Sequence, residues 1–192
     1  MATPVSICSN ALMRLGSRAI SSFTDGSDTA TLCANLYEDT VKSLLRAHLW
    51  NFAVKRAQLP AEVATPLYEY SYQHQIPSDC LRLLEVDLDT DDYQLENNRV
   101  LCDTTPVNIL YVAYVTDTAQ YDSLFVELLT QKMVAELAYA VTRSDSKATS
   151  EMQKFAAMLK QARSIDAQEC PNRQMTDFPL LSVRSGGRSW LR

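Results

Sequence analysis

Glycine is scarce in this chain of 192 residues, which contains only four. Phosphate-binding loops need closely spaced glycines between a strand and a helix, and the only adjacent pair, Gly186-Gly187, lies near the C-terminus with no such elements around it. Apolar runs are short as well, because none approaches the roughly 20 residues that cross a bilayer. The sequence therefore lacks both a nucleotide-binding glycine motif and a membrane-spanning run.

Cysteine and histidine are few, and their spacing matches neither a metal-binding motif nor a catalytic Cys–His motif. The five cysteines form no CxxC pair, and there are only two histidines. An odd number of unpaired cysteines is typical of a reducing cytoplasm, where a free thiol behaves as a small apolar side chain. A Cys–His hydrolase would have to use Cys80 and His74, and no third residue that would orient the histidine stands out. This hydrolase is the least favoured alternative function.

The acidic run Asp87–Asp92 invites comparison with a calcium-binding loop. An EF-hand loop that began at Asp87 would need glycine at its sixth position and glutamate at its twelfth. Those positions hold Asp92 and Asn98. We therefore predict a solvated hairpin loop, and overall no catalytic residue, no cofactor, no metal site and no enzymatic activity.

Apolar residues recur every three or four positions in four stretches, which is the spacing of one face of an α-helix. The longest stretch is 27–52, where Ser27 suits the N-cap and the helix is predicted to run to Trp50, with His48 on its buried stripe. Trp50 and Phe52 are expected to fill the junction with the region that follows. The other predicted helices are Pro4–Leu15, about 121–143 and about Ala148–Gln168.

The region between the second and third helices has the two-residue alternation of β-strands. One alternating stretch places Tyr68, Tyr70 and Tyr72 on one face with His74, and the Asn97-Asn98 pair suits a hairpin turn. The tyrosine face allows a second alternative function, a single-stranded nucleic-acid-binding module that stacks bases on the rings. The predicted strands are 52–59, 67–76, 81–88, 93–96, 99–102 and 107–115, the last being the most apolar and hence central.

These elements together predict an α+β fold that is mainly α. We expect a helical bundle of about four helices from residues 1–52 and 118–170. A small antiparallel β-region, residues 53–117, is inserted between the two halves of the bundle. Residues 171–192 have no periodic pattern and form an extended tail, which we call the C-terminal segment.

Charge is unevenly distributed along the chain. Residues 172–192 carry four arginines and one aspartate, a net +3, so the other 171 residues carry −8 of the total of −5. An acidic body repels nucleic acid. The C-terminal segment is either a disordered terminus or a segment that orders on a partner, and its predicted binding residues are Arg173, Phe178, Leu180, Leu181, Arg184, Arg188, Trp190 and Arg192.

Five stretches, taken in order, resemble the head-to-tail adaptor family of tailed bacteriophages, which includes tail tubular protein A. They hold packing and turn residues, and LLRAHLWNFA before the strands with PSDCLRLLEV after them is the most specific combination. The stretches are ALMRLGSRAISSFTDGSDTA (11–30), LLRAHLWNFA (44–53), YQHQIPSDCLRLLEV (72–86), LFVELLTQKMVAELAYAVTRS (124–144) and ARSIDAQE (162–169).

The resemblance implies a structural virion protein, made in the host cytoplasm, that forms a twelve-fold ring between the portal protein and the tail nozzle. Tail fibres or spikes are further candidate partners. The ring would continue the DNA channel without specific DNA binding, and no membrane is involved. The C-terminal segment would bind the portal. The family supplies no catalytic residue, and the acidic run Asp87–Asp92 is not part of its pattern.

Overall fold

Within residues 2–89 and 92–169, the part of the chain that the computed structural model describes, four α-helices and six β-strands are formed. The helices are α1 (Pro4–Arg14), α2 (Asp28–Ala47), α3 (Ser123–Thr142) and α4 (Asp145–Glu169). The strands all lie between α2 and α3. The predicted α+β fold, with a β-region inserted between helices, is confirmed.

Side-chain caps fix where the first two helices begin. The Thr3 hydroxyl accepts a hydrogen bond from the Ser6 backbone N–H, and Pro4 occupies the first turn, where no N–H is needed. The Ser27 hydroxyl likewise accepts from the Ala30 N–H. Gly16, just beyond α1, adopts a φ of +78°, which glycine enters without a steric penalty. Both predicted helix starts lie within a residue of those observed.

The second helix ends earlier than its apolar pattern indicates. It stops at Ala47, and His48 has an extended backbone. His48 was predicted on the buried stripe of a helix that reached Trp50, and that prediction is wrong. A short 3-10 turn, Asn51–Ala53, then leads directly into the first strand.

The strands are β1 (Val54–Leu59), β2 (Tyr72–Gln75), β3 (Cys80–Val86), β4 (Tyr93–Glu96), β5 (Arg99–Cys102) and β6 (Val107–Ala113). They form two antiparallel sheets, with strand orders β1-β6-β3 and β2-β5-β4. β6 is central in its sheet, as predicted. Asn97 and Asn98, both with positive φ, form the turn between β4 and β5, also as predicted.

The tyrosine stretch does not form one long strand. Only Tyr72–Gln75 pairs, with β5, whereas Glu69 has a φ of +75° and the Tyr70 N–H donates to the Tyr68 carbonyl. The alternation of residues 67–76 therefore does not place Tyr68, Tyr70 and Tyr72 on one strand face. The predicted tyrosine face is wrong.

Two hydrophobic cores meet at β6. Val112 on one face of β6 joins the core of the helical bundle, in which α3 packs against α1, α2 and α4. Ile109 and Tyr111 on the other face join a core between the two sheets, which includes Val100 of β5. Alternation along a strand explains how one element serves both cores.

An aromatic cluster fills the junction between the bundle and the β-region. Trp50 is 2% exposed, its ring centroid lies 5.1 Å from that of Phe125, and its Nε1–H donates to the Leu44 carbonyl at 2.9 Å. Phe52 and Tyr121 each lie edge-on or tilted near Phe125, with centroids 5.0 Å away. Trp50 and Phe52 thus lie where the sequence predicted them.

Candidate functional site

The predicted binding residues of the C-terminal segment, Arg173 to Arg192, lie outside the described residues. The described chain ends at Glu169, the last residue of α4. The structure can therefore locate the point where this segment begins and the surfaces beside that point.

The last turns of α4 are held against the connection between α2 and β1. The Asp166 carboxylate contacts His48 Nε2 at 3.0 Å and accepts from the Asn51 backbone N–H at 3.2 Å. The Asn51 side-chain amide donates to the Asp166 carbonyl, and Arg163 donates to the Ala47 carbonyl at the end of α2. These contacts fix the start of the C-terminal segment relative to both the bundle and the first sheet.

Replacing Asp166 with alanine is expected to destabilise the fold by about 1–3 kcal/mol, because it removes the acceptor of the half-buried His48 and of the Asn51 N–H. Urea unfolding measures the change. Gln161→Ala, on an exposed position of the same helix, is the matched control and should cost less than about 0.5 kcal/mol. Equal costs for the two variants would mean that this contact does not hold the end of α4.

A shallow concavity of about 690 Å³ lies beside Glu169. Its apolar lining comes from Leu49, Val54, Leu84 and Leu110, between the end of α2 and the first sheet. Leu110 is on the same face of β6 as Val112, which is buried in the bundle core. Leu84 on the neighbouring strand also packs against that core, whereas Leu110 is only half-buried. The rest of the face is open.

A second concavity, of about 440 Å³, continues the first, and both are lined by Arg56 and Leu110. It is polar: Gln58 donates to the Asn108 side chain, and Asn108 donates to the Asp87 carboxylate. We call the combined surface the open sheet face. It consists of Leu49, Val54, Arg56, Gln58, Leu84, Glu85, Asp87, Asn108, Leu110 and Glu169.

A second unusual surface is the loop between β1 and β2, residues 60–71. Its apolar side chains are largely in solvent: Val63 is fully exposed, Leu67 is 98% exposed and Tyr68 is 75% exposed. The start of the loop is fixed, because Glu62 accepts from Arg99 at 3.0 Å and from Gln73 at 2.8 Å. The exposed tip therefore projects from an anchored base.

The surroundings of the tyrosines do not suit nucleic acid. Partial burial raises the pKa of Tyr70, and the carboxylates of Glu69 and Asp103 raise it further. A base-stacking groove needs cations along the phosphate backbone. With acidic neighbours and no shared strand face, the nucleic-acid alternative has no support from this geometry.

Cys80 and His74 belong to different sheets. His74 is fully buried in β2, with Nε2 against the Thr104 carbonyl, whereas Cys80 begins β3 beside β6. Burial raises the pKa of the Cys80 thiol, which opposes formation of a nucleophilic thiolate. No hydrogen bond joins the two side chains among those of the described residues, so the geometry does not assemble the nucleophile–base pair.

The acidic run is only partly described, because Thr90 and Asp91 fall in the gap. Asp87 accepts from Asn108, and the Asp92 N–H donates to the Asp89 carbonyl in a turn. Among residues 2–89 and 92–169, no group of three or more His, Cys, Asp or Glu side chains is placed to hold a metal ion. Over the same residues, every helix is too short or too polar to cross a bilayer.

Comparison with protein-family models and with curated proteins found no match. The assignment of a function therefore rests on the residues and surfaces of the chain itself.

The open sheet face was not predicted from the sequence. The apolar character of β6 predicts that it is the central strand, and it does not show how far the helices cover its faces. A signal was present, since Asn108 is polar and shares a face with Leu110. A polar residue at one end of an otherwise apolar face indicates where the covering layer stops.

Proposed function

We propose that this protein is a structural adaptor of a bacteriophage virion, a ring component that joins the portal to the tail nozzle. The observation that carries the proposal is the presence of two candidate binding surfaces, which lie beside opposite ends of β1. One is the start of the C-terminal segment beside the bundle, and the other is the exposed loop 60–71. An adaptor needs one surface for each neighbour.

The course of β1 supports the separation of the two surfaces. Val54 pairs with Val112, which lies in the bundle core, and Leu59 pairs with Val107 at the far end of the sheet. Six strand residues span about 17 Å at roughly 3.3 Å per residue. The loop follows Leu59, whereas Glu169 lines the same concavity as Val54. The segment starts near one end of β1 and the loop at the other.

The resemblance to the adaptor family supports the choice of portal and nozzle as the two neighbours. The five stretches that resemble the adaptor family run from residue 11 to residue 169, and they fall on both halves of the bundle and on the β-region. In that family the C-terminal extension binds the portal, so we assign the portal to the C-terminal segment. The loop 60–71 is then the candidate contact for the nozzle.

The net negative charge of residues 1–171 is consistent with a protein that lines a DNA channel without binding the DNA. Residues 1–171 carry a net charge of −8. Like charge lowers the local concentration of a polyanion, and so reduces its adhesion to the wall. The basic C-terminal segment is the exception, in keeping with its assignment to a protein partner.

The proposal is tested by mixing the purified chain with portal rings of the same phage and counting bound adaptors by electron microscopy. We expect twelve-fold rings on the portal. Deletion of residues 172–192 should reduce occupancy at least tenfold, because the binding residues of the segment are then missing.

The matched control alters the other surface. Leu67→Ser, at the exposed loop tip, should leave portal occupancy unchanged and weaken recruitment of the nozzle protein to the assembled rings. Unchanged occupancy after the deletion would refute the role of the C-terminal segment. A chain that forms rings neither alone nor on portals would refute the adaptor function as a whole.

A further inference from the structure

We infer that the open sheet face is a docking site for the chain's own C-terminal segment. In this arrangement Phe178, Leu180 and Leu181 lie over the apolar end of the face, and Arg184 and Arg188 lie at its acidic end. The segment occupies the face while the protein has no partner bound. This inference does not depend on the adaptor function, because it concerns only the isolated chain.

The apolar end of the face is a surface that the fold covers only in part. Leu49 is 44% exposed, and Val54, Leu84 and Leu110 are half-buried around the same concavity. The side chains on the other face of the same sheet are buried between the two sheets. Clustered apolar side chains at one edge of a layer gain stability when a further apolar group covers them.

The C-terminal segment starts next to this surface. Glu169 lines the concavity, so the C-terminal segment starts at its edge. Phe178 is nine positions after Glu169, a stretch that reaches at most about 30 Å. A tether this short gives an effective concentration in the millimolar range, far above that of a separate partner in dilute solution.

The segment and the face have the same order of side-chain types, with apolar residues first and charged or polar residues after them. Moving away from Glu169, the face is first apolar at Val54 and Leu110 and then polar at Gln58 and Asp87. The segment is first apolar, at residues 178–181, and then basic at Arg184. Leu181 and Arg184 are about 10 Å apart when extended, and Val54 and Gln58 about 13 Å.

Charge favours the same orientation. Among the described residues that line the polar end of the face, Glu85 and Asp87 are carboxylates and Arg56 is a cation. The C-terminal segment carries four arginines and one aspartate. Guanidinium groups at exposed carboxylates contribute little to affinity, but they select the direction in which the segment lies.

The docked state should be reversible. Ordering about ten backbone residues costs more than burying three apolar side chains contributes, so the docked state is weakly populated unless the segment also forms backbone hydrogen bonds. A segment held in this way is protected from contact with other copies and remains available to a partner that binds it more strongly.

Photo-crosslinking of the full chain tests the inference. Leu49 is replaced with p-benzoyl-phenylalanine, and the irradiated protein is digested with trypsin. We expect the peptide 47–55 to be joined to the peptide 174–184, which contains Phe178, Leu180 and Leu181. The same replacement at Leu95, an exposed leucine of β4 that does not line the face, should give at least fivefold less cross-linking to the peptide 174–184.

Isotope mixing distinguishes the origin of the segment. When unlabelled and ¹⁵N-labelled chains are irradiated together, cross-links should join peptides of the same label. Leu181→Asp should reduce the yield at least threefold, and Ser189→Asp, beyond the docked residues, should leave it unchanged. Absence of the product, equal yields at Leu49 and Leu95, or cross-links mainly between labelled and unlabelled peptides would each overturn the inference.

Discussion

Replacing Trp50 with alanine lowers the free energy of unfolding by about 3–5 kcal/mol, the largest effect expected from a single substitution here. The indole is 2% exposed, and it packs against Phe125 and His48 at ring-centroid distances of 5.1 and 4.8 Å. Its removal leaves a cavity at the junction of the bundle and the β-region. It also leaves the Leu44 carbonyl, in the last turn of α2, without the donor Nε1–H.

Urea unfolding at fixed pH and temperature measures this change, with an unchanged m-value showing that the denatured state is the same. Leu49→Ala is the control, because Leu49 is the preceding residue and is 44% exposed. It should cost less than about 1 kcal/mol. Trp50→Phe keeps one aromatic ring but loses the hydrogen bond and part of the packing volume, so its loss of stability should lie between those of Trp50→Ala and Leu49→Ala. A loss below about 1.5 kcal/mol for Trp50→Ala would show that the aromatic cluster does not hold the junction together.

Replacing Glu151 with glutamine should cost about 2–3 kcal/mol at pH 7. Glu151 is 4% exposed and accepts from Lys154 at 2.8 Å, from Gln131 at 2.8 Å and from Lys147 at 3.0 Å. These contacts, with Lys154 foremost, lower the pKa of Glu151 to about 2 from an ordinary value near 4.5. A shift of this size corresponds to about 3 kcal/mol that favours the ionised form in the folded state.

The effect of Glu151→Gln depends on pH in a defined direction. A lowered pKa in the folded state stabilises the fold above about pH 4.5, where the unfolded chain also has an ionised Glu151. This stabilisation is lost as the pH falls from 4.5 towards 2. Urea unfolding from pH 7 to pH 2.5 should therefore show the wild type and the variant converging.

The matched control is Glu38→Gln, which breaks an ion pair with Lys42 on the exposed face of α2. Glu38 is 58% exposed, so its loss should change the stability by less than about 0.5 kcal/mol at any pH. A difference between wild type and Glu151→Gln that stays constant with pH would mean that the charge of Glu151 is not what stabilises the fold.

The elements set by local chemistry were predictable from the sequence. The first backbone N–H groups of a helix have no partner within the helix. Thr3 and Ser27 accept hydrogen bonds from such groups and Pro4 lacks one, so these residues predict where the helices start. The Asn97-Asn98 turn was predictable because asparagine tolerates positive φ. The apolar character of β6 identified the central strand. Each of these signals lies within a few residues of its effect.

The end of α2 was missed because its cause is distant in the chain. The apolar spacing continues to His48, and nothing local stops the helix at Ala47. Arg163 and Asp166 on α4 bind the Ala47 carbonyl and the residues just after it, more than 110 positions away. Tertiary contacts of this kind override local periodicity.

The tyrosine stretch was missed because alternation does not reveal how long a partner strand is. Among the described strands β2 pairs only with β5, and β5 ends at Cys102, the partner of Tyr72. The residues before Tyr72 therefore have no partner strand to pair with, whatever their alternation. The open sheet face was also missed, because its boundary depends on how far the helices extend over the first sheet, and strand alternation does not show that.

The pairing of Val54 with Val112 has a consequence for how the chain folds. These residues are the entrance and the exit of the β-region, and their backbones lie about 5 Å apart as antiparallel partners. The pairing of β1 with β6 therefore holds the chain that leaves the first half of the bundle next to the chain that enters the second half. This pairing closes a loop of some sixty residues, and the hydrogen bonds and side-chain packing between the two strands offset the entropic cost of that closure.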